Sequence, residues 1–185
     1  MNLIKGLKKI IKVKAQNKKL KHFGKLCEIS RSVDFIFPER LSIGDYVYIG
    51  PNGQINAMGN VSISSNVIIG PNVLILSANH NFRQAACLPY DEKHVLKPVV
   101  ISENVWIGAN VIITPGSTIG EGSIIGAGCV VSGKIPPLSV VVGNPCKVIS
   151  SRDDEHYYHL KSQEKSYLKE KKYGNLKPNT GREDI

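Results

Sequence analysis

Residues 101–136 decide the fold, because they divide into six consecutive blocks of six: ISENVW, IGANVI, ITPGST, IGEGSI, IGAGCV and VSGKIP. Every block opens with isoleucine or valine, and glycine follows in three of the six. A period of six fits neither an amphipathic helix nor a simple alternating strand. It fits short strands joined by tight turns, with one aliphatic side chain per block pointing into a narrow interior. We therefore predict a β-helix whose coils stack at about 4.8 Å, with glycine suiting the backbone of each corner.

The same blocks occur earlier in the chain, where two interruptions divide them. IGDYVY and IGPNGQ begin at residues 43 and 49, and ISSNVI, IGPNVL and ILSANH begin at 63, 69 and 75. The first pair and the later trio differ in phase by two residues, which predicts a small bulge near Asn56–Asn60. The next clean block begins 26 residues after Ile75. Residues 80–100 are therefore predicted to leave the stack as a loop, and long loops in compact domains usually carry function.

The composition is that of one folded domain. The chain has 185 residues, of which 42% are apolar, and no apolar run approaches the ~20 residues of a membrane span. The four cysteines show neither CxxC nor zinc-site spacing, so a reducing cytoplasm is the simplest interpretation. The N-terminus lacks the features of a signal peptide. We expect a cytoplasmic protein without a metal site, in which Cys129 packs in the core.

The net charge of +9 is a local feature of the N-terminus. Residues 1–25 hold nine lysines and no acid, which leaves 15 basic and 15 acidic groups elsewhere. Leucines and isoleucines share one face of a helix predicted over residues 2–23. Such a helix can lie on an anionic membrane, which would make the protein peripheral at the inner face. The alternative is a helix that packs on the protein with solvated lysines. Nucleic-acid binding is disfavoured because no aromatic platform accompanies the lysines.

The C-terminal segment is predicted to be helical. Ser151 with Asp154 resembles a capping box, and acids precede lysines in the order that suits the helix dipole. The chain thus divides into a basic N-terminal helix (residues 1–25), a β-helix domain (26–150) and a C-terminal helix with a loose tail (151–185).

Four motifs within residues 41–150 resemble the hexapeptide-repeat acyltransferase superfamily, and most closely its galactoside/maltose O-acetyltransferase branch with polysaccharide-modifying relatives. They are SANHNF at 77–82, VWIGANVIITPGSTIG at 105–120, IGAGCVV at 125–131 and VVGNPCKVI at 141–149. The resemblance implies an all-β fold: a left-handed parallel β-helix with a protruding catalytic loop and flanking N- and C-terminal α-helices. It also implies a homotrimer with active sites between subunits, acetyl-CoA as acyl donor and a sugar or glycan as acceptor.

His80 is the general base that the resemblance implies, because it stands where the loop leaves the stack. A sugar hydroxyl is a poor nucleophile, and an imidazole can accept its proton as the oxygen attacks the thioester directly, without an acyl-enzyme. His94, deeper in the loop, is the competing candidate. Asp91, Glu92, Glu103 or a backbone carbonyl could orient His80.

The resemblance also assigns residues to the two substrates. Trp106 would lie against the arm of acetyl-CoA, or pack in a trimer interface, and backbone groups of Ala109 and Ala127 would bind the pantetheine. The other donor candidates are Ser132, Gly133, Lys134 and Lys147. Three asparagines are candidates for binding the acceptor: Asn52, Asn56 and Asn79. Asparagines at β-helix corners also serve as turn formers. Gly50 and Met58 replace residues typical of sugar-acetylating relatives, so the galactoside or maltose specificity does not transfer.

The leading interpretation is an acetyl-CoA-dependent O-acetyltransferase acting on a sugar in cell-surface polysaccharide biosynthesis. The alternatives are N-acylation of an amino sugar or nucleotide-amino sugar, a metalloenzyme of the carbonic-anhydrase-like branch, and a catalytically inactive structural trimer. The metalloenzyme needs three histidine ligands, and the coils supply only His80 with His94 on the loop.

Overall fold

The computed structural model describes residues 19–174 and residue 176. Over this part of the chain the fold is a parallel β-helix. Each of its five complete coils contributes one strand to each of three sheets, and a sixth coil contributes a strand to two of them. Sheet A contains β1 (His22–Phe23), β4 (Leu41–Ile43), β7 (Val61–Ile63), β12 (Val99–Ile101), β15 (Thr118–Ile119) and β18 (Lys134–Ile135). Sheet B contains β2 (Glu28–Ile29), β5 (Tyr48–Ile49), β8 (Ile68–Ile69), β13 (Trp106–Ile107), β16 (Ile124–Ile125), β19 (Ser139–Val142) and the antiparallel β20 (Lys147–Ser151). Sheet C contains β3 (Asp34–Ile36), β6 (Gln54–Asn56), β9 (Leu74–Leu76), β14 (Ile112–Ile113) and β17 (Val130–Val131).

The core is the column of aliphatic side chains that the hexads predict. Twelve of the largest side chains are almost completely buried: Leu41, Ile43, Ile49, Ile55, Ile63, Ile69, Ile75, Ile101, Ile107, Ile113, Ile119 and Ile125. Cys129 is fully buried in the same cluster, as expected. Residues of each strand alternate between the interior and the surface, so each sheet leaves a second row of side chains on the outside of the prism.

Turns join the sheets at three edges, which we name by the sheets they connect. The A–B edge includes residues 44–47, 64–67, 102–105 and 120–123; the B–C edge includes 50–53, 70–73, 108–111 and 126–129; the C–A edge includes 37–40, 57–60, 114–117 and 132–133. In the first coils the register advances by 20 residues, as in Ser42↔Ser62, then by 18, as in Val100↔Thr118, and by 16 into the last coil, as in Thr118↔Lys134. The two-residue slip near Asn56–Asn60 is therefore confirmed, and the same spacing already holds one coil earlier.

The glycine that follows the inward isoleucine serves close approach between coils, which corrects our expectation for the corner backbone. A Cβ on Gly108 would lie 2.7 Å from the backbone nitrogen of Ala127, and one on Gly70 would lie 2.8 Å from the carbonyl carbon of Gly108. The left-handed backbone conformation falls two residues later, at Asn72 and Asn110. Asparagine and glycine tolerate that conformation better than other residues.

Asparagines at this position on the B–C edge form a ladder. Asn52 donates its side-chain N–H to Asn72 Oδ1 at 3.2 Å, and Asn72 donates to Asn110 Oδ1 at 3.0 Å. All three have positive φ. The ladder therefore gives the asparagine side chains hydrogen-bond partners at a corner that repeats from coil to coil.

The ends of the chain differ from the predicted boundaries. Residues 1–18 lie outside the described residues, and so does most of the helix predicted over residues 2–23 and assigned to residues 1–25. For the end of this segment that the structure describes, the prediction of a helix is wrong, because His22–Phe23 form β1, which pairs in parallel with β4. The backbone hydrogen bonds of this strand are supplied by the next coil, which outweighs local helical periodicity.

The C-terminal segment forms two helices, α1 (Asp154–Ser162) and α2 (Tyr167–Lys172), instead of the single predicted one. The cap is Asp153, whose carboxylate accepts the backbone N–H of His156 at 2.7 Å, while Ser151 still belongs to β20. This part of the chain runs back along the A–B edge from the last coil to the first. Tyr157 binds Glu121 in the fifth coil, and Lys171 reaches Glu28 in the first at 3.2 Å.

None of the helices in the described part of the chain is both long and apolar enough to cross a membrane.

We predict that Gly108→Ala lowers the free energy of unfolding by about 1–3 kcal/mol, because its Cβ would overlap the backbone of the next coil. Gly128→Asn is the matched control. Gly128 has φ +74°, nothing lies within 4 Å of the position that a Cβ would take, and it follows Asn110 in the column of the ladder. Urea unfolding of both variants checks the difference. Equal stability of Gly108→Ala and the wild type would contradict the close-approach role.

Candidate active site

The phase break at residue 77 produces a β-hairpin at the C–A edge. Its strands β10 (Ala78–His80) and β11 (His94–Leu96) are antiparallel, with His80 paired to His94. Ser77, at the base, is fully buried; its hydroxyl donates to the carbonyl of Asn56 and accepts the N–H of Gly59, both at 2.8 Å. The loop predicted over residues 80–100 is thus an anchored hairpin that ends where β12 rejoins sheet A.

The hairpin brings three rings together. The imidazole of His80 stacks on the ring of Tyr90, with centroids 3.9 Å apart and planes inclined by 18°. The ring of His94 lies 5.0 Å away at 40°. The two histidines that the sequence offers as candidates for the general base are therefore neighbours. Tyr90 is a residue of the site that sequence reasoning missed. A ring ten residues further along an irregular loop carries no periodic signal that would have placed it against His80.

Asp91 closes the tip of the hairpin. Its carboxylate is buried and accepts hydrogen bonds from the side chain of Asn81 and the backbone N–H groups of Ala86 and Lys93, all between 3.0 and 3.1 Å. Burial opposes ionisation, but the hydrogen bonds from Ala86, Lys93 and Asn81 outweigh it and hold the pKa of Asp91 below its usual value. Asp91 therefore holds the backbone at the tip of the hairpin. The rings in contact with His80 are those of Tyr90 and His94.

The three asparagines proposed for the acceptor are not equivalent. Asn56 lies at the base of the hairpin, where it ends β6 and its backbone carbonyl accepts the hydroxyl of Ser77. Asn79 belongs to hairpin strand β10, and its side-chain oxygen accepts the backbone N–H of His80 at 2.9 Å. Asn52 lies on the B–C edge, in the ladder with Asn72. The structure brings two of the three toward His80, and it gives Asn52 a turn-forming position.

The donor candidates lie on two different edges. Ala109 and Ala127 follow one another on the B–C edge, where Gly128 donates to the carbonyl of Ala109 at 2.9 Å. Neither alanine donates its backbone N–H to another described residue. Trp106, half exposed, lies just before this edge, and Lys147 begins β20 opposite Val142.

The remaining donor candidates, residues 132–134, lie on the C–A edge and the start of β18, about two coils below the hairpin. This places them roughly 10 Å along the axis from its base. A single chain therefore does not gather all of the predicted donor positions into one cleft.

A large cavity lies elsewhere, between the outer face of sheet B and helices α1 and α2, and its volume is about 740 Å³. Trp106 lines it, whereas His80, Ala109 and Ala127 do not. Sequence reasoning missed this cavity because its second wall is formed by helices that return from the other end of the molecule. In the described residues, no group of three or more His, Cys, Asp or Glu side chains could hold a metal ion.

Comparison with known proteins locates this architecture within a family. The family model described as bacterial transferase hexapeptide (six repeats) matches residues 98–133. A maltose O-acetyltransferase from Clostridium difficile 630 is 32% identical, with a TM-score of 0.67 over 75% of this chain and 73% of that one. The chain belongs to the hexapeptide-repeat transferase family. Its fold is accordingly the left-handed parallel β-helix.

Two further relatives of this hexapeptide-repeat protein are acetyltransferases by name. A hexapeptide-repeat acetyltransferase from Vibrio cholerae O1 biovar eltor, complexed with acetyl coenzyme A, is 30% identical with a TM-score of 0.69, over 75% of each chain. The galactoside O-acetyltransferase of Escherichia coli K12 is 37% identical over 139 residues, which are 74% of this chain and 58% of that protein. Shorter matches to putative acetyltransferases of Staphylococcus aureus cover 29% of their length, so the chain spans less than two thirds of the curated relatives it matches.

We predict that acid loosens the tip of the hairpin only below the ordinary pKa of an aspartate, about 3.9. A carboxylate whose pKa is lowered on folding stabilises the fold above the unfolded value, and this contribution is lost as the pH falls through the folded value. The amide resonances of Ala86 and Lys93 should therefore hold their positions down to about pH 4 and shift below it.

Asp91→Asn is the control, since it removes the titration at this position. A midpoint at or above the ordinary value, or the same titration in the variant, would contradict the assignment.

Proposed function

We propose that the protein is an acetyl-CoA-dependent O-acetyltransferase that acts on a hydroxyl group of a sugar, in cell-surface polysaccharide biosynthesis, with His80 as general base. The observation that carries the proposal is the position of His80 at the start of the hairpin, where a buried serine fixes the backbone and the ring of Tyr90 stacks on the imidazole. Support comes from the O-acetyltransferases among the relatives and from the acetyl coenzyme A bound in the Vibrio protein.

In the proposed reaction, His80 accepts the proton of the acceptor hydroxyl while its oxygen attacks the thioester carbonyl. The new carbon–oxygen bond forms, the carbon–sulfur bond breaks, and the proton held by His80 passes to the sulfur of coenzyme A. Stacking on Tyr90 limits the rotation of the imidazole, which favours one approach of the acceptor. The side-chain oxygens of Asn56 and Asn79 accept backbone N–H groups, and their NH2 groups suit the hydroxyl groups of a sugar.

The separation of the donor candidates supports a site shared between copies. One copy would supply the B–C edge, with Ala109 and Ala127, and a neighbour would supply the C–A edge, with His80 and residues 132–134. Such a site is complete in a cyclic trimer, because each B–C edge then meets the C–A edge of the next subunit. The two stacked N–H groups of Ala109 and Ala127 suit the amides of a pantetheine arm, which resembles a peptide strand.

The test is the release of coenzyme A from acetyl-CoA in the presence of free, nucleotide-linked and lipid-linked sugars, with hydroxyl and amine acceptors in parallel. We expect His80→Ala to lower turnover by about 10²–10⁴-fold, as for the loss of a general base. His94→Ala is the matched control on the opposite strand, and we expect it to retain most of the activity. Loss in His94→Ala with activity in His80→Ala would assign the base to His94, and turnover with amines alone would make the enzyme an N-acyltransferase.

A second prediction concerns Tyr90. Tyr90→Phe keeps the stacked ring and should keep the activity, whereas Tyr90→Ala should lower kcat about tenfold or more with a smaller change in KM, because the base loses its fixed orientation. Steady-state kinetics of the two variants provide the measurement. Similar losses in both would mean that the hydroxyl, and not the ring, carries the effect.

A further inference from the structure

The cavity between sheet B and the C-terminal helices is a built cleft. Its floor is the outer face of sheet B, where Tyr48, Ile68 and Trp106 follow one another in the parallel register. Its wall consists of side chains from α1 and α2, among them Leu168, which is buried. A volume of about 740 Å³ is within the usual range of small-molecule sites.

The helices that form the wall are fastened to the coils at both ends. The hydroxyl of Tyr157 donates to Glu121 at 2.8 Å and accepts from Asn104 at 2.9 Å. Burial and the bond to Glu121 raise the pKa of Tyr157, so the hydroxyl stays neutral and holds this position. Lys171 binds Glu28 at the other end. The cleft therefore keeps its shape without a ligand.

The charged side chains that line the cleft are all basic. They are Arg152, Lys161, Lys165 and Lys171. Two of these side chains already have carboxylate partners outside the lining, since Lys161 pairs with Glu121 and Glu103, and Lys171 pairs with Glu28. Arg152 and Lys165 form no ion pair with a described residue.

Arg152 is the most informative of the four. It is partly buried, and its Nε donates to the carbonyl of Gly122 at 2.6 Å. Burial lowers the pKa of its guanidinium, and no carboxylate among the described residues offsets that cost. A partly buried guanidinium with free donors in a cleft is suited to a planar or tetrahedral anion. The hydroxyl of Ser166, which also lines the cleft, is buried without a hydrogen-bond partner among the described residues.

We propose that this cleft binds a nucleoside phosphate, with the base against Trp106 and the phosphate among the basic side chains. The half-exposed indole offers a flat stacking surface, and Tyr48 and Tyr167 extend the aromatic lining. The basic side chains suit a phosphate group, and a neutral aromatic ligand would give them no anionic partner. The proposed ligand is a nucleotide or a nucleotide-linked sugar, and the adenosine phosphate end of coenzyme A, which carries the same chemistry, is the alternative that the experiment excludes. The proposal does not depend on acetyl transfer or on His80.

Trp106 is the only tryptophan of the chain, so its fluorescence reports on the cleft directly. The experiment titrates the full-length protein with UDP, dTDP, ADP and coenzyme A, with uridine and inorganic phosphate as partial ligands. We expect at least one nucleoside diphosphate to change the emission saturably and to bind more tightly than uridine or phosphate alone. Additive binding of that nucleotide and coenzyme A identifies a separate nucleotide site, whereas competition between them would assign the cleft to the acyl donor and overturn the proposal.

Lys165→Gln and Arg152→Gln should each weaken this binding about tenfold or more, the loss expected for a charge-assisted hydrogen bond. Lys172→Gln and Arg31→Gln are the matched controls outside the lining and should leave it unchanged. Lys165→Gln is decisive if Arg152→Gln fails to fold, because the Lys165 side chain holds no ion pair or hydrogen bond within the described fold. A flat titration with every nucleotide up to millimolar concentration, or equal affinity in Lys165→Gln and Lys172→Gln, would overturn the proposal.

Discussion

The close contact between the backbone of each corner and the corner of the next coil is the constraint on which the whole structure depends. Coils separated by the strand spacing leave no room for a Cβ at Gly70 or Gly108, and a residue with left-handed backbone follows two positions later, at Asn72 and Asn110. The second coil has the same pattern, whereas the first coil has Ser30 at the glycine position. Together with the buried isoleucine column these corner contacts fix the triangular section and the direction of every outward side chain.

A regular stack of this kind is chemically uniform, and the candidate sites arise where the chain departs from it. At the C–A edge the hairpin leaves the stack, and its base is anchored by buried Ser77 while its tip is closed by buried Asp91. At the A–B edge, the chain returns as α1 and α2 and covers part of sheet B. Both features use the coils as a rigid surface, which is how loops on a stable scaffold generally carry function.

The predictions from sequence were accurate where they rested on period and phase. The inward column, the two-residue slip, the hairpin position and the burial of Cys129 follow from counting residues, because stacking forces inward positions to recur at fixed spacing. The predictions from sequence were wrong near both ends of the described residues. Local helical patterns suggested a helix through His22 and a single helix from Ser151, but strand pairing with a neighbouring strand supplies hydrogen bonds at both places. The role of the glycine after isoleucine was also misjudged, since the clash that excludes a Cβ involves a residue about 20 positions away.

The sequence by itself determined the β-helix, the point in the chain at which it is interrupted, and His80 as the histidine at that point, because all three are consequences of a repeat and its interruption. Only the tertiary structure decided that Tyr90 stacks on His80, that Asn52 belongs to a corner ladder, and that Trp106 faces a basic cleft. The contacts of Tyr90 and Trp106 join residues to an irregular loop or to the returning helices, where no period relates one position to the other. The ladder asparagines share one repeat position, but the repeat does not show that their side chains bond across coils. Their side chains meet because buried hydrogen bonds and stacked backbones hold the segments in place, and that information resides in the folded chain.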